Sequence, residues 1–458
     1  MQSIIIEKLK NRKIIILGFG REGYSSYRFI RRCLPEQELT IADESEVLNT
    51  DLLVGDTRVN VITGPRYCEH LNDYDLIFKT PGINLNHISY FVPHDKIVSQ
   101  TDLFLAAFGR QVTGVTGTKG KSTTASLITH LLQKAGKLVI LAGNIGVPFF
   151  DIIEQITPDT LVVAELSAHQ LEYTKHSPHV SILLNLYQEH LDHFSSFSHY
   201  MEAKANIAVY QSPRDIFIYN LENTHIEKMI EAHHFRQRCY AFGGTLMPEN
   251  GTWLVGDNVV FLENKEKIGE ISIAGLDNLP GRHNMHNVMA SMLACRTWDV
   301  SIPDIEKALP SFKGLEHRME KVGIRDGILF YNDSISTIPE ATIAAINTLK
   351  KVDTLILGGF DRGISYHALI DFLPDSGVRN IIFTGPAGKR ILTEWEKLGN
   401  PLPQWFVVEN NYEEIVKLAL LHTLPGKICL LSPAASSYDQ FKNFEERGCL
   451  FKGLIAKK

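Results

Sequence analysis

The sequence predicts an α/β protein with three domains, each built on a parallel sheet, and three observations carry that prediction. Short apolar, β-branched runs recur along the whole chain, each followed by a stretch with helical spacing. Continuous apolar runs of this length fit strands buried on both faces of a parallel sheet. Two of the strand-to-helix junctions are glycine loops, at residues 18–23 and 114–124. The chain has 458 residues, too many for one core, so two to four domains are expected.

The first region runs over residues 1–107. Strands are expected at 13–17, 39–42, 59–62 and 75–79, with a helix over 24–32. Gly18-Phe-Gly20-Arg21-Glu22-Gly23 lies between the first strand and that helix, the order of a dinucleotide-type loop. Asp43 stands at the end of the second strand, where such folds place a ribose-binding acid. Thr80-Pro81-Gly82 ends a strand in a turn. The loop alone does not choose between a nicotinamide cofactor, a UDP-sugar and a plain tight turn.

The second region, 108–313, opens with the most informative stretch of the chain. A strand around Val112 and Val115 and a helix over 123–133 flank Thr116-Gly117-Thr118-Lys119-Gly120-Lys121-Ser122-Thr123. Glycines there let backbone N–H groups converge on phosphate oxygens at a helix N-terminus. Lys121 is placed to reach the terminal phosphates and Ser122 to sit on Mg²⁺. Only two residues separate Gly117 from Gly120, where the common pattern has four. Further strands are expected at 138–142, 160–165, 179–184 and 215–219. A β-like section over 239–273 interrupts the domain, and a helix runs from Gly281 toward Trp298.

Glu165 closes an apolar strand in the phosphate-loop domain, a position suited to holding Mg²⁺. His190, Asp192 and His193 follow another strand and could bind a metal. Lys204, in Tyr-Met-Glu-Ala-Lys-Ala, reads on local pattern as an ordinary helix-surface lysine.

The third region, 314–458, repeats the parallel pattern with strands at 328–331, 354–357, 380–383 and 427–431. Asn332-Asp333-Ser334 and Ser432–Ser437 follow strands and offer hydroxyls and an acid for polar substrate contacts.

Composition narrows the class. Hydrophobic content of 44% and charged content of 21% are those of a soluble globular protein. A formal net charge of −6 gives no footprint for nucleic acid. The six cysteines form no C-x-x-C pair, which argues against zinc or disulfides. No apolar run reaches the length of a membrane span and no signal-peptide pattern opens the chain. A cytoplasmic, monomeric enzyme that touches neither membrane nor nucleic acid is expected.

Taken together these residues resemble the Mur ligases of peptidoglycan synthesis, over essentially the whole chain, and within that family the branch that adds glutamate. The resemblance rests on residues 18–23, 116–123, Gly143-Asn144-Ile-Gly146, and Glu165-Leu-Ser-Ala-His-Gln170-Leu-Glu172. It continues in His190-Leu-Asp192, Ala203-Lys204, His283-Asn284 with Asn287, His317-Arg318 and Asn332-Asp333-Ser334. The run Leu431 to Gly448 is its most specific part.

The resemblance implies that the first domain binds the UDP part of UDP-N-acetylmuramoyl-L-alanine through Gly20, Arg21, Glu22, Gly23, Asp43, Thr80, Pro81 and Gly82. It implies that Asn144 meets the muramoyl-alanine part. ATP would be held by Gly117, Thr118, Lys119, Gly120, Lys121, Ser122, Thr123, Asn284, Asn287, Arg318 and Asp333. Mg²⁺ would be held by Ser122, Glu165, His190 and Lys204, the last as a carbamate. That role for Lys204 overrides the local reading. Catalysis would rest on Lys121, Glu165, His190 and Lys204, and glutamate would meet Thr337, Arg362, Ser437 and Phe444.

This sequence also departs from the branch. Ile335 stands where a Lys is usual, and Pro339 changes a helix start. Arg362 replaces a Lys, Lys119 an Asn or Asp, and Glu44-Ser45 a Thr-Arg pair. The chemistry expected is ATP-dependent amide formation through an acyl phosphate, with D-glutamate as the amino acid and L-glutamate as the alternative. A nicotinamide-dependent dehydrogenase leaves Lys121-Ser122 unexplained. A nucleotide switch leaves the C-terminal run unexplained. Domain closure is expected, since ATP and glutamate contacts fall in different domains.

Overall fold

A computed structural model describes every residue except Asn49, His87, Ser89, Tyr90, Phe91, Asp277, Pro280 and Lys458, and the side chains of residues 50, 282 and 283 also lie outside the description. His283 of the expected nucleotide motif is among these last. The chain forms two compact units, Met1–Gly275 with Arg282–Phe312, and Leu276–Gly281 with Lys313–Lys458. Among the described residues no helix is long and apolar enough to cross a membrane.

The first unit holds two sheets. One contains β1 (Ile14–Leu17), β2 (Leu39–Asp43), β3 (Val59–Thr63), β4 (Leu76–Lys79) and β5 (Ile97–Val98), all parallel, in the order β3-β2-β1-β4-β5. The order reverses beside β1, so the glycine loop after β1 lies at the switch point where such sheets bind ligands.

The other sheet contains β6 (Val112–Thr116), β7 (Leu138–Gly143), β8 (Thr160–Glu165), β9 (Val180–Leu183), β10 (Ile216–Asn220), β11 (Arg238–Gly243), β12 (Gly251–Val255), β13 (Asn258–Glu263) and β14 (Glu266–Ser272). Its order is β14-β13-β12-β11-β10-β9-β6-β8-β7. The section over 239–273 therefore extends the sheet rather than interrupting it. β11 pairs parallel to both β10 and β12, and an antiparallel meander β12-β13-β14 continues the edge. β14, at the edge, is mostly exposed, whereas β13 is buried over four consecutive residues.

A phenylalanine cluster joins the two layers of this unit. Phe150 packs on Phe29 with ring centroids 4.3 Å apart, and Phe149 stacks on Phe104 at 4.7 Å. All four rings are buried, so the helices of the first sheet share one core with the edge of the second.

The second unit holds β15 (Glu320–Arg325), β16 (Ile328–Asn332), β17 (Val352–Gly358), β18 (Asn380–Thr384), β19 (Trp405–Val408) and β20 (Ile428–Leu431), in the order β15-β16-β20-β17-β18-β19. All pairs are parallel except β15 with β16.

Three strands lay outside the sequence expectation, and each has a reason. β5 has two residues, β15 is an edge strand that carries Glu320, Lys321 and Arg325, and β19 is a half-buried edge just after Pro401 and Pro403. Edge strands lack the continuous apolar run that marks buried ones.

Candidate active site

In the second sheet β6 lies between β8 and β9, with Val115 level with Glu165 and Thr116 level with Leu183. The carboxyl ends of the three strands are therefore adjacent. The phosphate loop after β6 is flanked by Glu165 on one side and by residues 185–193 on the other.

The loop is tightly built. Gly117 and Gly120 have φ of +152° and +86°, and a Cβ on Gly120 would strike the Asn287 side-chain oxygen. Only glycine fits there. Asn185 brackets Lys119: its Oδ1 accepts from the Lys119 N–H at 2.8 Å and its Nδ2 donates to the Lys119 carbonyl at 3.0 Å. Thr118 donates to the Tyr187 carbonyl at 3.2 Å and accepts from the Tyr187 N–H at 2.9 Å. Lys121 opens the helix Lys121–Lys134, and its ammonium donates to the Gly117 and Thr118 carbonyls, both at 2.9 Å. The Lys119 ammonium pairs with Glu189.

Glu165 is 1% exposed. Its Oε1 accepts from Asn144 Nδ2 at 2.7 Å, while Oε2 is buried with no hydrogen bond. A buried carboxylate oxygen without a partner is costly, and a cation placed there would satisfy it. The Asn144 N–H also donates to the Glu165 carbonyl, at 2.9 Å, so β7 and β8 hold this pair in register.

Lys204 is not on the helix surface, which corrects the local reading of its pattern. The helix Phe197–Val209 buries Tyr200, Ala203, Lys204, Ala205, Ile207 and Ala208. The Lys204 amine donates to the Gly117 carbonyl at 2.9 Å and to the Thr116 hydroxyl at 3.2 Å, and it sits 5.0 Å from the Tyr200 ring centroid. Burial, reinforced by Lys121, pushes its pKa well below the usual lysine value. A neutral amine is the form that reacts as a nucleophile.

The three residues weighed after β9 separate in the structure. His190 has φ +59° and a half-exposed ring 5.0 Å from the His169 ring; burial lowers its pKa. Asp192 is exposed. His193 is buried, with Nε2 3.0 Å from Glu172, which in turn pairs with Lys79 at 3.3 Å. Among the described residues no group of three or more His, Cys, Asp or Glu side chains is arranged to hold a metal. The implied Mg²⁺ set contains only Glu165 and His190 of those types. Its remaining donors are Ser122 and Lys204. The unpartnered Glu165 oxygen, the glycine cradle and the buried Lys204 amine beside it fit a divalent ion with phosphate oxygens.

Asn284 and Asn287, both buried, sit one turn apart on the helix Arg282–Thr297 and are joined by a 3.0 Å hydrogen bond from Asn287 Nδ2 to Asn284 Oδ1. Asn287 is the residue packed on Gly120.

In the first sheet, Asp43 accepts from the N–H of Phe19 at 2.7 Å and of Ser45 at 2.9 Å, and so fixes the glycine loop. Thr80 donates to the Leu17 carbonyl at 2.7 Å. Gly20 caps the helix Arg21–Cys33, and a Cβ on Gly23 would strike the Gly18 carbonyl. Pro81 and Gly82 form the turn after Thr80. Arg21 Nη2 donates to the Gly143 carbonyl at 3.3 Å, which brings it beside Asn144. Glu22 turns its carboxyl to Gln170 Nε2 at 3.4 Å, and its other oxygen is buried and unpartnered. Burial pushes that carboxyl up to about 7.

The second unit brings its own residues together. Asp333 Oδ2 accepts from Ser336 at 2.5 Å and Ser432 at 2.8 Å, and Oδ1 accepts from the Met319 N–H at 3.1 Å. Burial still raises the Asp333 carboxyl to about 6. Arg362 Nη2 donates to the Thr337 carbonyl at 2.8 Å. Ser334 donates to the Phe444 carbonyl at 2.8 Å, Ser437 is buried, and Arg318 is exposed. Sequence reasoning missed Asn185, Tyr200 and Arg447. Asn185 directly follows a strand, which was a usable signal. Arg447 lies in a Glu-Glu-Arg run that reads as a solvated helix start, yet it is 1% exposed.

Comparison with known proteins decides the family. The Mur ligase middle domain pattern matches residues 115–295, which contain the phosphate loop, Glu165, His190, Lys204, Asn284 and Asn287. The UDP-N-acetylmuramoylalanine--D-glutamate ligase of Desulfitobacterium hafniense is 33% identical over 453 residues, 98% of each chain. The chain belongs to the Mur ligase family. A ligase of the same name from Acetivibrio thermocellus is 32% identical, over 98% of this Mur ligase and 97% of that relative. Among solved structures, MurF ligase from Thermotoga maritima in complex with ADP aligns over 100% of both chains, with TM-score 0.56 and 17% identity. UDP-N-acetylmuramate-alanine ligase MurC of Thermotoga maritima covers 96% of this chain and 98% of its own, with TM-score 0.56 and 18% identity. These two show the Mur ligase fold, with its three α/β domains.

Proposed function

We propose that this Mur ligase is an ATP-dependent, ADP-forming amide ligase that adds D-glutamate to UDP-N-acetylmuramoyl-L-alanine in peptidoglycan synthesis. The observation that carries the reading is the phosphate loop with the unpartnered Glu165 oxygen and the buried Lys204 at its base. D-glutamate is preferred to L-glutamate because the full-length relatives are named for it.

In this reading residues 1–107 bind the UDP substrate, 108–313 bind ATP, and 314–458 bind glutamate. The loop N–H groups and Lys121 neutralise phosphate charge as the γ-phosphoryl group moves to the substrate carboxylate. A carboxylate is a poor acyl donor, and the acyl phosphate carries a good leaving group. The glutamate amine attacks the acyl carbon, a tetrahedral intermediate collapses, and amide, ADP and phosphate result. No covalent enzyme intermediate is needed, so catalysis rests on positioning and charge stabilisation. Ser122, Glu165, His190 and carbamylated Lys204 would hold Mg²⁺, which would supply positive charge to the phosphate oxygens. Asn144 orients Glu165 by the 2.7 Å hydrogen bond. The protein acts as a cytoplasmic monomer.

The test is ADP release in the presence of UDP-N-acetylmuramoyl-L-alanine with D-glutamate, with L-glutamate, or with no amino acid. Release that requires the UDP substrate and D-glutamate together is expected. Release with neither enantiomer sinks the amino-acid assignment, and release with no UDP substrate sinks the ligase.

A further inference from the structure

Arg447 lies in the first turn of the helix Phe444–Ala456 and is fully enclosed. Its Nε donates to the Ser334 hydroxyl at 2.9 Å. Nη2 donates to the carbonyls of Ser334 at 2.8 Å and Ala435 at 3.1 Å, and Nη1 to the carbonyl of Ser436 at 3.3 Å. Ser334 follows β16, and Ala435 and Ser436 follow β20. Gly359, after β17, packs so closely that an added Cβ would lie 3.0 Å from Nη1, and the Phe360 N–H donates to the Ser436 carbonyl at 2.9 Å. The strands β16, β20 and β17 are neighbours in that order. One planar fork therefore ties the loops after β16 and β20 together and packs against the loop after β17.

The charge of this fork has no close ion-pair partner. Among the described residues no carboxylate lies within ion-pair distance of Arg447, and its four acceptors are all neutral. Asp439 attracts it only at longer range, and burial holds its pKa below the usual arginine value. A buried cation without a counter-ion is costly, and an anion arriving nearby offsets that cost. The groups expected to meet the incoming amino acid are the neighbours of this fork. Ser437 follows Ser436, Phe444 shares the helix and accepts from Ser334, and Thr337 is three residues beyond Ser334.

We propose that Arg447 is a positioning and specificity residue for the amino-acid substrate. It holds the Ser334, Ala435 and Ser436 loops in a preformed cup, and its unpaired charge favours an amino acid with a side-chain carboxylate over the isosteric amide. The inference rests on the glutamate-adding reading.

The experiment compares glutamate with glutamine as acceptor in wild type, Arg447→Lys, Arg447→Gln and Ser334→Ala, with thermal unfolding as the check on folding. Arg447→Lys keeps the charge and loses the fork, so the KM for glutamate should rise about tenfold while the KM values for ATP and the UDP substrate stay within about twofold. Its preference for glutamate over glutamine should persist. Arg447→Gln should lower that preference, read as the kcat/KM ratio, by about tenfold. Ser334→Ala removes one acceptor and should raise the glutamate KM alone, and it tests the brace if Arg447→Gln does not fold. An equal loss for glutamate and glutamine in Arg447→Gln, or a fall in kcat without a KM split in Arg447→Lys and Ser334→Ala, overturns the proposal. A wild type that accepts no glutamate fails the underlying reading instead. A wild type that does, with variants unchanged in KM and preference, fails this inference alone.

Discussion

Asn144 donates to Glu165 at 2.7 Å and leaves the second carboxylate oxygen buried with no hydrogen bond. The pair sits at the ends of β7 and β8, at the edge of the phosphate loop. An oriented carboxylate with one open oxygen is a ligand for a cation. Asn144→Ala should therefore weaken the Mg²⁺ dependence of ADP release by ~10–100-fold in apparent metal affinity, the range for partners that orient ligands. Glu165→Gln should abolish turnover yet unfold no earlier than wild type, because it removes an uncompensated buried charge. Calorimetric unfolding with a Mg²⁺ titration of activity checks both. An active Glu165→Gln variant sinks the assignment.

Lys204 meets the conditions for carbamylation, since it is buried next to the phosphate loop and that burial favours its neutral amine. Lys204→Ala should lose activity, bicarbonate should not restore it, and a short carboxylic acid in solution should restore part. Labelled carbon dioxide should give a carbamate carbonyl signal in wild type and none in the variant. A wild type without that signal removes Lys204 from the metal set.

Glu22 gives a pH prediction of definite sign. Its carboxyl is raised from 4.5 to about 7, chiefly by burial. The unfolded chain releases this proton at the lower value and the folded chain at the higher one. The group's contribution to stability is therefore full below 4.5 and is lost as the pH rises through about 7. Glu22→Gln should gain on wild type across that window and keep a constant advantage above it, on the order of 3 kcal/mol. Denaturant unfolding at several pH values measures it. A variant with the same pH slope as wild type would show that Glu22 does not carry this titration.

Arg362 donates to the Thr337 carbonyl at 2.8 Å, so two residues expected to meet glutamate are already joined. An arginine grips a carboxylate with two parallel hydrogen bonds, which a lysine does not. Arg362→Ala should raise the KM for glutamate about tenfold and leave that for ATP nearly unchanged. Loss of ATP affinity alone would move Arg362 to the nucleotide site.

The sequence by itself determined the α/β class, the parallel strands that carry the loops, and the phosphate loop, because buried parallel strands are continuous apolar runs and glycine-Lys-Ser order has few other uses. It also placed Glu165 at a strand end. Only the tertiary structure decided which side chains are buried at those loops. Lys204 and Arg447 each sit in a polar or charged local context, and a helix segment does not reveal whether its charged face meets solvent or a neighbouring sheet. The extension of the second sheet through β11 to β14 was equally hidden, because strand pairing joins segments whose alternation reads the same in an isolated meander. The orphaned oxygens of Glu165 and Glu22 arise from the packing of separate strands and helices. They have no signature in a one-dimensional pattern, since the cost of burying a charge depends on what three dimensions bring beside it.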